Sequence, residues 1–171
     1  MIILGVDPAQ SSGYSVLRDR KLCSVGTVAE VSVTKRLEEI GAIVAAVLEM
    51  EPKNETPMLA IETQYLGKNP KSLIRLVELR MQWEIVARTV AYGADRRIEI
   101  QRVGPSEWQG RLFPHRKGRG NRCRDEVKAM AREIVRGVIG GAADGMTEDE
   151  VDSVCVGLFA AGFDPHRLPG V

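Results

Sequence analysis

The chain has 171 residues, 44% of them hydrophobic, and a formal net charge of +1. These values fit one domain with its own core, and we expect a single domain over residues 1–171 with an irregular tail over 162–171. No apolar run reaches the roughly 20 residues that span a bilayer. The first apolar run is too short for a signal peptide, so we expect a cytoplasmic protein with no membrane partner.

The first predicted strand ends on a carboxylate. Residues 2–6 are almost entirely apolar and predict a buried strand, and Asp7 follows them directly before the turn-forming stretch 8–13. An unpaired charge beside a buried strand is costly. Two interpretations remain open at this point: Asp7 starts a turn before Pro8, or it belongs to a site with other carboxylates.

A second strand ends in the same way. Residues 14–17 and 21–28 continue the first strand into an antiparallel meander, and a helix capped by Thr34 leads to a second apolar run, which ends on Glu62. A strand, a helix and a strand imply a parallel neighbour reached by a right-handed crossover. Asp7 and Glu62 are then expected at one carboxyl edge of the sheet.

The helix predicted over residues 70–92 carries more apolar residues than one face requires. A helix that packs on a sheet needs a single apolar stripe. The surplus predicts a second buried surface, most simply the same helix of another subunit. The alternative is a central helix enclosed within one domain.

The last third of the chain supplies a fifth strand over residues 98–103, a short helical turn from Pro105, and two further helices. We interpret Trp108 as a core residue. Thr147 and Glu150 fit a capping box at the start of the final helix. Three residues apart on that helix, Asp149 and Asp152 share one face.

Charge is distributed unevenly along this region. Residues 111–124 contain six basic residues and no acid, whereas residues 144–152 contain five acids and no base. A basic segment beside an acidic cluster suits a site that holds a polyanion around metal ions. The three cysteines are far apart, which fits neither a disulfide framework nor a zinc site.

Four carboxylates thus form the candidate site: Asp7, Glu62, Asp149 and Asp152. Clustered like charges raise one another's pKa or require cations. Mg²⁺ prefers carboxylate oxygens. Two such ions about 3.5–4 Å apart can activate water and stabilise the leaving oxygen in phosphodiester hydrolysis.

These segments resemble the RuvC family of Holliday junction resolvases. The resemblance lies in GVDPAQSSGYSV, AIETQY, KNPKSLIRLVELRMQWEIVA and TEDEVDSVCVG, and the order of elements agrees over most of the chain. It implies an RNase H-like α/β fold, with a mixed five-stranded sheet of three antiparallel and two parallel strands and helices on both faces. It also implies a homodimer, assembled through helix 70–92, that nicks four-way and other branched DNA symmetrically.

By this resemblance the four acids are the catalytic metal ligands for two Mg²⁺ ions per active site, with Mn²⁺ as a substitute. Tyr65 stands where the family has an aromatic residue that stacks on bases. The candidate phosphate contacts are Lys68, Lys71, Arg102, Arg116, Lys117, Arg119, Arg122 and Arg124. A branch-migration helicase is a further candidate partner.

The first motif contains one departure from the family pattern and a run of small residues before Gly13. The family usually has Gly after the first-motif proline, where this chain has Ala9. We interpret Gly13 and the small residues before it as keeping the approach to Asp7 open for a DNA backbone.

Three alternatives stay open. Another RNase H-like nuclease would cut flaps or RNA–DNA hybrids, and a non-catalytic protein would only bind junctions. An actin-like kinase also places an acid at a strand end beside a glycine-containing hairpin, but the chain is short for two such domains and shows no second phosphate loop.

Overall fold

The computed structural model describes residues 1–29, 32–63, 70–113 and 123–165. Its strands are β1 Ile2–Asp7, β2 Ser12–Arg18, β3 Lys21–Val28, β4 Met58–Glu62 and β5 Glu99–Val103. Its helices are α1 Val33–Met50, α2 Pro70–Gly93, α3 Pro105–Leu112, α4 Arg124–Ile139 and α5 Glu148–Ala160, with a 3₁₀ helix, Gly140–Gly145, between the last two.

The strands form one mixed sheet in the order β3-β2-β1-β4-β5. β1 pairs antiparallel with β2, and β2 pairs antiparallel with β3. β1 and β4 are parallel, as are β4 and β5. The predicted sheet of three antiparallel and two parallel strands is confirmed.

Alternation of side chains along the strands divides the interior into two cores, one on each face of the sheet. Ile2, Leu4 and Val6 of β1 point to the face covered by α1 and α2. Ile3 points to the other face, where Ala60 and Val103 pack with α3, α4 and α5. Helices therefore cover both faces, and the direction of each strand residue decides which core it joins.

Helix boundaries follow their capping residues, with one correction. The N-cap of α1 is Ser32, whose side chain accepts a hydrogen bond from the backbone N–H of Lys35 at 3.3 Å. Thr34, predicted as the cap, lies inside the helix because Ser32 already occupies the extended conformation that a cap requires. At α5 the predicted capping box of Thr147 and Glu150 is confirmed.

One face of α2 is not covered within the described part of the chain. Its buried face packs Leu79, Trp83, Ala87 and Ala91 against the core. The opposite face exposes large apolar side chains at a spacing of seven, four and seven residues: Ile74 (59% exposed), Met81 (47%), Ile85 (56%) and Tyr92 (87%).

Among the helices in the described ranges, none is long and apolar enough to cross a membrane.

Candidate active site

Asp7 and Glu62 end two neighbouring strands side by side. Val6 of β1 pairs with Ile61 of β4 in the parallel ladder, so the next residue of each strand emerges at the same edge. Both carboxylates point to the face that carries α5, because Val6 and Ile61 point to the other core. Both are partly exposed at this edge. The predicted convergence of the two acids is confirmed at the level of the backbone.

Glycines allow α5 to approach this edge closely. A Cβ atom on Gly5 of β1 would lie only 2.9 Å from the backbone nitrogen of Gly157 of α5. A Cβ atom on Gly13, the ladder partner of Asp7, would overlap the backbone of Asp149. The interpretation of Gly13 as an opening for DNA is therefore wrong, since the first turn of α5 fills that space.

Polar contacts fix how α5 lies on the sheet. The buried hydroxyl of Ser15 on β2 donates to the carbonyl oxygen of Ser153 at 2.9 Å. At the start of the helix, Thr27 of β3 donates to Glu150 at 3.0 Å. With these contacts in place, Asp149 and Asp152 lie on the turn that faces β1 and β2, as partly exposed side chains.

Burial raises the pKa of both acids at the strand ends. Burial, followed by the charge of Glu62 and then of Asp152, holds the pKa of Asp7 well above its usual range. Burial also raises the pKa of Glu62, against hydrogen bonds from Trp108 and Asp7 that lower it. A hydrogen bond between the two side chains contributes to both shifts, since it raises the pKa of Asp7 and lowers that of Glu62.

The two acids of α5 are affected in the same direction. Burial, and then the charges of Glu62 and Asp149, raise the pKa of Asp152 to about 7. Burial, and then the neighbouring charges of Glu148 and Glu150, raise the pKa of Asp149. Burial thus raises the pKa of all four carboxyl groups, and neighbouring negative charges add to the shift for Asp7, Asp149 and Asp152.

The donor set fits divalent cations with a preference for oxygen. All four candidate ligands are carboxylates, which suit Mg²⁺ or Mn²⁺. In the described ranges, no three acidic, cysteine or histidine side chains already surround one point at coordinating distance. Cation ligands are deprotonated carboxylates, so metal binding would oppose the raised pKa of Asp7.

Trp108 is buried, as predicted, but it also touches the site. Its indole Nε1 donates a hydrogen bond to Oε1 of Glu62 at 3.0 Å. Sequence reasoning missed this contact, because the apolar surroundings of Trp108 identify it only as a core residue. The one available signal was its position shortly after the strand beside Glu62.

Basic side chains of α4 border the acidic turn of α5, and sequence reasoning missed Lys128 among them. Lys128 pairs with Glu148, and its charge opposes the rise in the pKa of Asp149 and Asp152. The charge of Arg124, a predicted DNA contact, acts on Asp149 in the same direction. Lys128 lies in the helix predicted directly after the basic segment 111–124, and that position was the signal that could have found it.

Of the other predicted DNA contacts, Arg102 and Lys71 are among the described residues. Arg102 lies on β5 beside Ile61, so it points away from the acids, and its guanidinium donates to Glu84 of α2 at 2.9 and 2.6 Å. Lys71 is exposed in the first turn of α2. The remaining predicted contacts lie outside the described residues: Tyr65, Lys68, Arg116, Lys117, Arg119 and Arg122.

Comparison with known proteins identifies relatives of this chain. Residues 3–136 match the family model described as crossover junction endodeoxyribonuclease RuvC. The protein of that name from Prosthecochloris aestuarii is 31% identical over 147 residues, which cover 79% of this chain and 70% of the relative. The one from Chlorobium phaeobacteroides is 25% identical over 141 residues, covering 80% and 70% of the two chains. Asp149 and Asp152 lie beyond the span of the family model.

Solved structures share the fold. The Thermus thermophilus RuvC structure is 19% identical, with a TM-score of 0.64 over 92% of each chain. The T. thermophilus RuvC complex with a Holliday junction substrate is 19% identical, with a TM-score of 0.63 over 92% of this chain and 90% of that one. The predicted RNase H-like arrangement is confirmed.

Proposed function

Because the chain belongs to the RuvC family of crossover junction endodeoxyribonucleases, we propose that it resolves four-way DNA junctions and other branched DNA by cutting phosphodiester bonds. One observation carries this proposal: α5 lies against the edge of the sheet at which Asp7 and Glu62 end neighbouring strands. The site is partly exposed at that edge, so a DNA backbone can approach the carboxylates.

Asp7, Glu62, Asp149 and Asp152 would together hold two Mg²⁺ ions, for which Mn²⁺ can substitute. When bound, such a pair supplies an activated water and stabilises the leaving oxygen. Glu62 accepts a hydrogen bond from Trp108, and close packing at Gly13 sets the position of the α5 acids. Burial of the four side chains strengthens their attraction for a cation.

Basic residues around the site would hold neighbouring phosphates. Arg124 and Lys71 are exposed at the starts of α4 and α2, and Lys128 borders the acids of α5. Arg102 points to the other face, so its phosphate contact would be remote from the scissile bond. For Tyr65 we propose base stacking, and for Lys68, Arg116, Lys117, Arg119 and Arg122 we propose phosphate contacts on sequence grounds alone.

The uncovered face of α2 supports a homodimer. Its four large apolar side chains lie along one line of the helix and are separated by charged residues such as Glu78 and Arg88. A stripe of this kind is typical of a helix that packs against a partner. Two subunits related by a two-fold axis would place two sites for paired, symmetric nicks. A branch-migration helicase is a further proposed partner.

Substrate choice distinguishes the proposal from its alternatives. The full chain with Mg²⁺ is incubated with a synthetic four-way junction, a flap, a linear duplex and an RNA–DNA hybrid of matched length. We expect cutting of the junction in two symmetric strands, leaving 5′-phosphate and 3′-hydroxyl ends. Equal cutting of the hybrid would favour another RNase H-like nuclease. Tight junction binding without any cutting would favour a non-catalytic binder.

A further inference from the structure

We propose that Trp108 is a positioning residue for Glu62, and that its indole N–H fixes the carboxylate for divalent cation binding without neutralising it. This inference rests on the proposed function, because it concerns the same metal-binding site. Trp108 contacts the proposed ligand Glu62 and acts through it, not directly on a metal ion or the substrate.

Packing in the core fixes the orientation of the indole ring of Trp108. Trp108 is 1% exposed and packs in the core beside Leu112 and Val103. The ring of Phe113 meets it edge-on, with ring centroids 5.4 Å apart and planes at 75°. A tryptophan N–H is a donor with no acceptor capacity, and here it points at Oε1 of Glu62 from 3.0 Å.

The backbone joins the two residues in one rigid frame. Glu62 pairs with Val103 in the β4–β5 ladder, and the backbone N–H of Thr63 donates to the carbonyl oxygen of Val103 at 2.8 Å. Helix α3 begins directly after Gly104, whose backbone N–H donates to the Glu107 side chain at 2.5 Å. Trp108 lies one residue beyond Glu107, so strand and helix hold the donor and its acceptor in a fixed relation.

A neutral donor suits this position better than a cation. The positive charge of an arginine or lysine beside Glu62 would offset the negative charge of the carboxylate and compete with a divalent ion. An indole N–H orients one oxygen of the carboxylate and leaves its charge in place. The carboxylate has further lone pairs for Asp7 or for a metal ion. Outer contacts of this kind orient metal ligands in many proteins.

Trp83 shows that burial alone does not produce such a contact. It is also 1% exposed, but it lies in the core on the opposite face of the sheet. Its Nε1 has no hydrogen-bond partner among the described residues. The chain has two tryptophans, so Trp83 provides a matched control for the removal of an indole N–H.

The test compares Trp108→Phe with Trp83→Phe in the full chain. Phenylalanine keeps an aromatic ring and removes the N–H. Binding of Mn²⁺ is measured by calorimetry without DNA. We expect Trp108→Phe to weaken Mn²⁺ binding by about 10- to 100-fold, the usual effect of losing an outer contact to a ligand. We expect Trp83→Phe to bind Mn²⁺ as the wild type does.

Fluorescence provides a second readout that a purely structural role would not change. In Trp83→Phe the remaining tryptophan contacts Glu62, so its emission should change when Mg²⁺ binds. In Trp108→Phe the remaining tryptophan is remote from the site, and its emission should not respond.

The outcomes separate this inference from the proposed function. Equal Mn²⁺ affinity in two folded variants, or an indole emission in Trp83→Phe that ignores Mg²⁺, would overturn the role of Trp108. Wild-type protein that binds Mn²⁺ but cuts no branched DNA would overturn the proposed function and leave the role of Trp108 standing if its variants behave as expected.

Discussion

The backbone of Asp149 lies directly against Gly13, at a distance that leaves no room for a Cβ atom. Gly13 is the ladder partner of Asp7, so this contact brings the first turn of the last helix to the end of the first strand. Asp7 and Asp149 are more than a hundred positions apart in the sequence. They become neighbours because Gly13 has no side chain, which lets the backbone of Asp149 approach the sheet.

Replacing Gly13 with alanine should therefore displace the first turn of α5. Overpacking of this kind costs about 1–3 kcal/mol of stability, and Asp149 would move away from Asp7. We expect lower stability in urea and a large loss of both Mg²⁺ affinity and cleavage. Gly145→Ala is the matched control, because a Cβ atom there meets nothing within 4 Å. A Gly13→Ala variant with unchanged metal affinity would show that the contact does not set the site.

Replacing Asp7 with asparagine should separate cutting from binding. The substitution keeps the shape of the side chain but removes a ligand and a negative charge near the DNA. We expect cleavage to fall by more than about 100-fold, beyond the effect of losing an outer contact. Junction binding, measured by gel shift, should stay the same or become tighter. Asp144→Asn is the control, since Asp144 pairs with Arg136 on the surface. Retained cutting in Asp7→Asn would exclude Asp7 as a metal ligand.

Asp152 should make the metal-free protein less stable as the pH rises. Its folded-state pKa is raised to about 7 from the ordinary value of 3.8 for an aspartate, so the folded form binds more protons than the unfolded form between these values. The resulting stabilisation is present below the lower value and is lost as the pH rises through the upper one. Asparagine does not titrate in this range.

At about pH 8, in EDTA, Asp152→Asn should be more stable than the wild type by about 1–3 kcal/mol. This advantage should shrink towards about pH 4, where Asp152 is protonated in the folded protein and close to half protonated in the unfolded chain. Urea unfolding at the two pH values measures the difference, and added Mg²⁺ should stabilise the wild type more than the variant. A variant that is less stable than the wild type at the higher pH would contradict the raised pKa.

The exposed stripe of α2 should hold the dimer together. Ile85→Glu places a charge on the apolar face without disturbing the residues of α2 that pack in the core. We expect a monomer by sedimentation, with Mn²⁺ binding retained and paired junction cuts replaced by single nicks. Val33→Glu is the control, because Val33 is equally exposed, at 56%, but lies on α1. A dimer that survives Ile85→Glu would place the interface elsewhere.

Local patterns in the sequence were sufficient to predict the strands and helices and to place Asp7 and Glu62 at one edge of the sheet. Apolar runs that end on Asp7 and Glu62 define strand ends, and one crossover rule places them at one edge. The capping box of Thr147 and Glu150 defines the start of the last helix. These signals are readable because caps and periodicity depend on residues close together in the chain.

Tertiary packing alone decided the contacts across the sheet. Gly13 makes room for Asp149, Trp108 donates to Glu62, and Arg102 points to Glu84 rather than to the acids. Each of these relationships joins segments far apart in sequence. Each depends on the face of the sheet to which a side chain points and on how closely a helix approaches the sheet. The residue pattern of a single segment does not determine either property.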